Sequence, residues 1–67
     1  MSERAARHRE AAARHEEAAK RHAEAADFWA QQDDEEMADL ERRNHRIEVA
    51  AAELERDRAE VAERRGE

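Results

Sequence analysis

The chain has no cysteine, proline, threonine or tyrosine, one glycine (Gly66), one serine (Ser2) and two aromatic residues, Phe28 and Trp29. Without cysteine there is no disulfide and no thiolate metal site. With Ser2 the sole hydroxyl side chain, nucleophilic catalysis has almost nothing to work with. No apolar run approaches a membrane span and no signal-peptide core is present, so a soluble cytoplasmic protein with no membrane partner is expected. Large apolar side chains are also scarce. Of 67 residues, 17 are alanine, and beyond Met1 the larger apolar set is Phe28, Trp29, Met37, Leu40, Ile47, Val49, Leu54 and Val61. So few cannot enclose a cavity around a catalytic site, and a chain this short with so thin a core needs staples or a partner copy. No Ser/Cys/His constellation, phosphate loop or paired-carboxylate cleft can be assembled, and an enzyme is not expected.

Charge is abundant but local. The net charge is −6. Residues 1–32 balance, residues 40–67 nearly balance, and Asp33, Asp34, Glu35, Glu36 and Asp39 supply almost the whole excess. A nucleic-acid partner is therefore not expected from a general basic surface. Arginine outnumbers lysine twelve to one, which with the alanine content suggests a GC-rich bacterial genome.

The first half is a seven-residue repeat. Residues 7–13, 14–20 and 21–27 all read Arg-His-x-Glu-Ala-Ala-x. On a helix this places His8, Ala11, Ala12, His15, Ala18, Ala19, His22, Ala25, Ala26 and Trp29 along one stripe. Glu3–Arg7, Glu10–Arg14, Glu16–Lys20 and Glu17–Arg21 add i,i+4 support in a strongly helix-forming sequence. The second half repeats Leu40, Ile47, Leu54 and Val61 every seven residues, with Met37, Asn44, Ala51 and Arg58 completing an a/d seam. Asn44 within that seam is of the kind that specifies register or oligomer state. Asp33 with Glu36 reads as a capping box, Arg64 and Arg65 suit a helix C-terminus, and Gly66 a helix stop.

The expected fold is all-α: a single antiparallel helical hairpin over residues 1–67, a two-helix coiled coil with helix 1 about 2–31, turn about 32–34 and helix 2 about 34–65. Facing positions total about 66 in residue number if the chain reverses at Asp33. This pairs Ala26 with Leu40, Ala19 with Ile47, Ala12 with Leu54 and Ala5 with Val61, each small residue against a large one. The intervening layers pair Trp29 with Met37, His22 with Asn44, His15 with Ala51, and His8 with Arg58. One continuous helix pairing with a second copy about Asp33 satisfies the same layers. The hairpin is preferred, because that dimer would juxtapose two acidic segments and bury Asp33 and Asp34 inside a helix. A hairpin leaves an exposed apolar edge, so dimerisation into a four-helix bundle is expected.

Residues 33–40, Asp-Asp-Glu-Glu-Met-Ala-Asp-Leu, resemble the turn-to-helix segment of the Rop family of plasmid RNA-binding hairpins. The resemblance covers those eight residues and implies a Rop-like dimeric four-helix bundle layering alanine against leucine. It also raises RNA binding through helix 1. Arg7, Arg14 and Arg21 form a row there, but Glu10, Glu17 and Glu24 lie close beside it.

Three functional expectations follow. The first is a non-catalytic interaction or assembly protein that forms homodimers, with no cofactor. Phe28 and Val49, off the main seams, are candidate contacts for another protein. The second is a transition-metal protein holding zinc, copper or nickel through His8, His15 and His22. Heptad spacing is a rise of roughly 10 Å, so such a site must form between helices or copies, joined by Glu41, Glu48 or His45. The third is a small regulator binding structured RNA. Histidines packed neutral among alanines would also make assembly weaker near pH 5 than near neutrality.

Overall fold

Ser2 starts the first helix: the Ala5 N–H donates to its hydroxyl at 3.0 Å, satisfying one of the donors a helix N-terminus leaves free. In this computed structural model, which describes residues 2–67, α1 runs Glu3–Gln31 and α2 runs Glu35–Arg65. The two pack against each other along their length as a hairpin 50 Å long. The continuous-helix alternative is not what the chain adopts.

The reversal is a tight turn held by backbone hydrogen bonds. Gln32 caps α1, Asp33 takes a left-handed conformation with φ 60°, and the Asp33 and Asp34 N–H groups donate back to the Ala30 and Trp29 carbonyls at 3.1 and 2.9 Å. This is the Schellman arrangement that normally recruits glycine. Asp34, rather than the expected Asp33, then caps α2: its carboxylate accepts from the Met37 N–H at 3.1 Å. The reason is conformational, since Asp33 is used up closing α1. The far end repeats the motif with its usual residue. Gly66 has φ 70°, and Gly66 and Glu67 donate to Glu63 and Ala62.

The seam between the helices is almost entirely alanine. Ala5, Ala12, Ala19 and Ala26 of α1 and Ala38, Ala52, Ala59 and Ala62 of α2 are buried, together with one polar side chain, Glu55. Helix α1 thus presents the face its repeat predicts. Helix α2 does not. Leu40, Ile47 and Leu54 are 46, 57 and 50 % exposed, and Val61 is half-buried, so the expected pairings of these aliphatics with Ala26, Ala19, Ala12 and Ala5 do not form within the hairpin. The face of α2 that meets α1 lies one residue further along, a rotation of about 100°. Alanine on both sides lets the backbones approach closely, and the rotation brings a row of carboxylates to the histidines. A seam of leucines would have held the helices further apart and left those imidazoles without partners.

Candidate interaction surface

A three-rung ladder joins the helices. His8 Nδ1 donates to Glu55 at 2.7 Å, His15 Nδ1 to Glu48 at 2.6 Å, and His22 Nδ1 to Glu41 at 2.7 Å. The residue numbers of every rung total 63 rather than 66, because each step of seven up α1 matches a step of seven down α2. Asn44, Ala51 and Arg58, the expected neighbours of these histidines, are displaced by Glu41, Glu48 and Glu55. His45 joins the seam from the other side, its Nδ1 donating to the Ala19 carbonyl at 2.8 Å.

All four imidazoles therefore carry a proton on Nδ1, since carboxylate and carbonyl oxygens only accept. In the neutral ring Nε2 then keeps its lone pair. The rung histidines are half-buried, with side chains 28, 38 and 31 % exposed, and their glutamates are more enclosed at 11, 23 and 18 %. Glu55 also receives Arg58 from the next turn. The His8 hydrogen bond first, and Arg58 second, hold the Glu55 carboxyl below the usual carboxylate range. Among the described residues no buried side-chain polar atom lacks a hydrogen-bond partner. Each ladder imidazole thus has a carboxylate partner across the seam.

The two sides of the hairpin differ. On one side, charged pairs cross between the helices: Arg9 with Glu63 at 3.0 Å, and Arg56 with Glu16. The Arg9 hydrogen bond lowers the Glu63 pKa. On the ladder side, half-buried Ala11, Ala18 and Ala25 of α1 and Met37 and Ala51 of α2 flank the rungs, and Leu40, Ile47, Leu54 and Val61 lie beyond them. Leu54 and Val61 share a shallow groove with His8, Arg4 and Arg58. This aliphatic stripe has no cover within the hairpin.

Phe28 and Val49 do not form one surface. Phe28, 54 % exposed, stands edge-on to half-buried Trp29 with ring centroids 5.2 Å apart. Val49 lines a groove with Ala23, His45 and Arg56 on the charged side. Arg7, Arg14 and Arg21 are exposed, as are Glu10, Glu17 and Glu24 beside them. Among the described residues no three His, Asp or Glu side chains converge as a metal cluster, and no helix is long and apolar enough to cross a membrane. The chain matches no known family model, no curated protein and no solved structure.

Proposed function

We propose that the chain is a non-catalytic helical assembly protein, whose hairpins associate through the aliphatic stripe of α2 into a four-helix bundle. One observation carries this reading. The side chains buried inside the hairpin are alanines and Glu55, while Leu40, Ile47 and Leu54 remain about half exposed in a straight line. Alanine burial removes little apolar surface from water, so about half of the hydrophobic contribution that these large aliphatics can make is still unused in a single hairpin. Covering the stripe recovers it. Sedimentation equilibrium tests the reading against the triple variant Leu40→Gln, Ile47→Gln, Leu54→Gln. The wild type is expected to self-associate at micromolar concentration and the triple variant to remain monomeric and helical. A wild type that stays monomeric at high micromolar concentration overturns the proposal.

A second reading, metal binding through His8, His15 and His22, is favoured by the tautomer. A ligating histidine commonly donates its other ring N–H to a carboxylate, which orients the ring and raises its basicity, and each rung has that form. Zinc, copper or nickel would meet Nε2, with Glu55, Glu48 and Glu41 behind the rings. One hairpin offers only one imidazole per level, so this reading needs ligands from a second copy.

A further inference from the structure

The row of α2 immediately beside the aliphatic stripe, on the flank away from the ladder, reads Glu36, Arg43, Ala50, Asp57, Arg64. All five are exposed, and the four charged ones make no ion pair with any described residue. Their order is acid, base, alanine, acid, base. Reversed, the same row reads base, acid, alanine, base, acid. A copy of α2 running antiparallel about Ala50 is therefore its charge complement at every position.

We infer that the occupant of the stripe is a second copy of this chain, its α2 antiparallel to the first, with Ala50 against Ala50 on the two-fold axis. The inference rests on the assembly reading above and names its partner and register. Glu36 then faces Arg64 of the second copy and Arg43 faces Asp57 of the second copy, each pair occurring twice by symmetry. In the layers between them Met37 meets Val61, Asn44 meets Leu54, Ile47 meets Ala51, and Leu40 packs on the aliphatic stem of Arg58.

The alternatives fail on charge. Sliding one copy by seven residues sets Glu36 against Asp57 in one direction and Arg43 against Arg64 in the other. A parallel pair gains Arg43 beside Glu48 but places Glu36 beside Glu41 and Arg58 on Arg58 within a layer. On the inner flank of the antiparallel pair, Glu48 meets Glu48 and Glu41 meets Glu55. Those carboxylates arrive already hydrogen-bonded to His15, His22 and His8 of their own hairpins. The ladder thus supplies the donors that let α2 turn an acidic flank toward its copy.

A charge-reversal cycle read by sedimentation equilibrium tests this. Arg43→Asp sets two acids face to face and Asp57→Arg sets two bases; each is expected to weaken the dimer roughly tenfold, and the double variant to return most of that loss. Because reversal at an exposed helix site could also alter the fold, a second readout is covalent. In this cysteine-free chain Ala50→Cys is expected to oxidise to a linked dimer, whereas Glu60→Cys, about 30 Å from its copy in this register, does not. Additive losses in the double variant, or cross-linking at residue 60 and not at 50, overturn the register while the assembly reading stands. A wild type that is monomeric throughout overturns both.

Discussion

Glu55 is gripped from two directions, by His8 across the helix pair at 2.7 Å and by Arg58 one turn along its own helix. Both hold its carboxylate ionised, His8 most strongly. A carboxyl whose folded pKa is lowered contributes stability that is fully present above its unfolded value and is lost as pH falls through the folded one. The ordinary value is 4.5, so this contribution is intact at pH 5.5 and disappears below about 4.5. Helicity monitored by circular dichroism should hold from pH 7.5 to 5.5 and fall below 4.5, and Glu55→Gln should make that fall shallower. A loss of structure between pH 7 and 5.5 would contradict the ladder.

The alanine seam should tolerate no enlargement. Ala12 and Ala52 are 3 and 1 % exposed, and leucine at either would wedge the helices apart. Ala12→Leu or Ala52→Leu is expected to cost about 1–3 kcal/mol, measured by chemical denaturation. Ala13→Leu, at an exposed position next door, should change stability by less than about 0.5 kcal/mol. Equal effects at residues 12 and 13 would mean that the seam is not closely packed.

The turn separates two adjacent aspartates by role. Asp34 caps α2 and Asp33 sits at φ 60° closing α1. Asp34→Ala should lose about 1 kcal/mol through the missing cap. Asp33→Gly relieves a left-handed residue of its Cβ and should be neutral or stabilising by a few tenths of a kcal/mol. Thermal melts of the two variants check this, and the reverse order would return the cap to Asp33.

The histidine ladder and the metal reading part company at His15. As the central rung, it leaves Glu48 without its donor when replaced, and His15→Ala should destabilise by about 1 kcal/mol whether EDTA or zinc is present. The wild-type melt is expected to be the same with one equivalent of zinc as with EDTA. A large zinc-induced rise that His15→Ala removes would place metal binding first, since a ligand bound by the folded state alone raises its melting temperature.

Much of α1 was legible in the sequence because its repeat contains one chemically distinct row per role, and Ala5, Ala12, Ala19 and Ala26 are buried as their spacing implies. The hairpin was legible too, from two aspartates poorly suited to a helix interior. The face of α2 was not, for a physical reason. Leu40, Ile47 and Leu54 recur with the same period as Ala38, Ala52 and Ala59, and as Glu41, Glu48 and Glu55. Periodicity alone cannot say which of those rows meets α1, and the largest side chains are the natural choice. The deciding signal was chemical: three glutamates at heptad spacing on α2 answering three histidines at heptad spacing on α1. The cap slipped by one residue because a capping box does not reveal that Asp33 is needed to end the preceding helix.

The ladder's regularity carries a liability that the turn removes. Because every rung is the same histidine–glutamate pair between the same alanines, sliding α1 by one repeat would set His8 against Glu48 and His15 against Glu41. Two of three rungs would be rebuilt and most of the small residues would meet again. On the ladder side nothing in the side-chain pattern opposes that misalignment, much as two identical rulers can be laid together at any whole division; only the exposed pairs of the other side, Arg9–Glu63 and Arg56–Glu16, would be lost. The covalent connection chooses the division: with Gln32, Asp33 and Asp34 alone between the helices, the chain is too short to reach the next one. Lengthening the loop by several flexible residues would therefore loosen more than the loop, because it would admit a second, nearly equivalent fold of the same two helices.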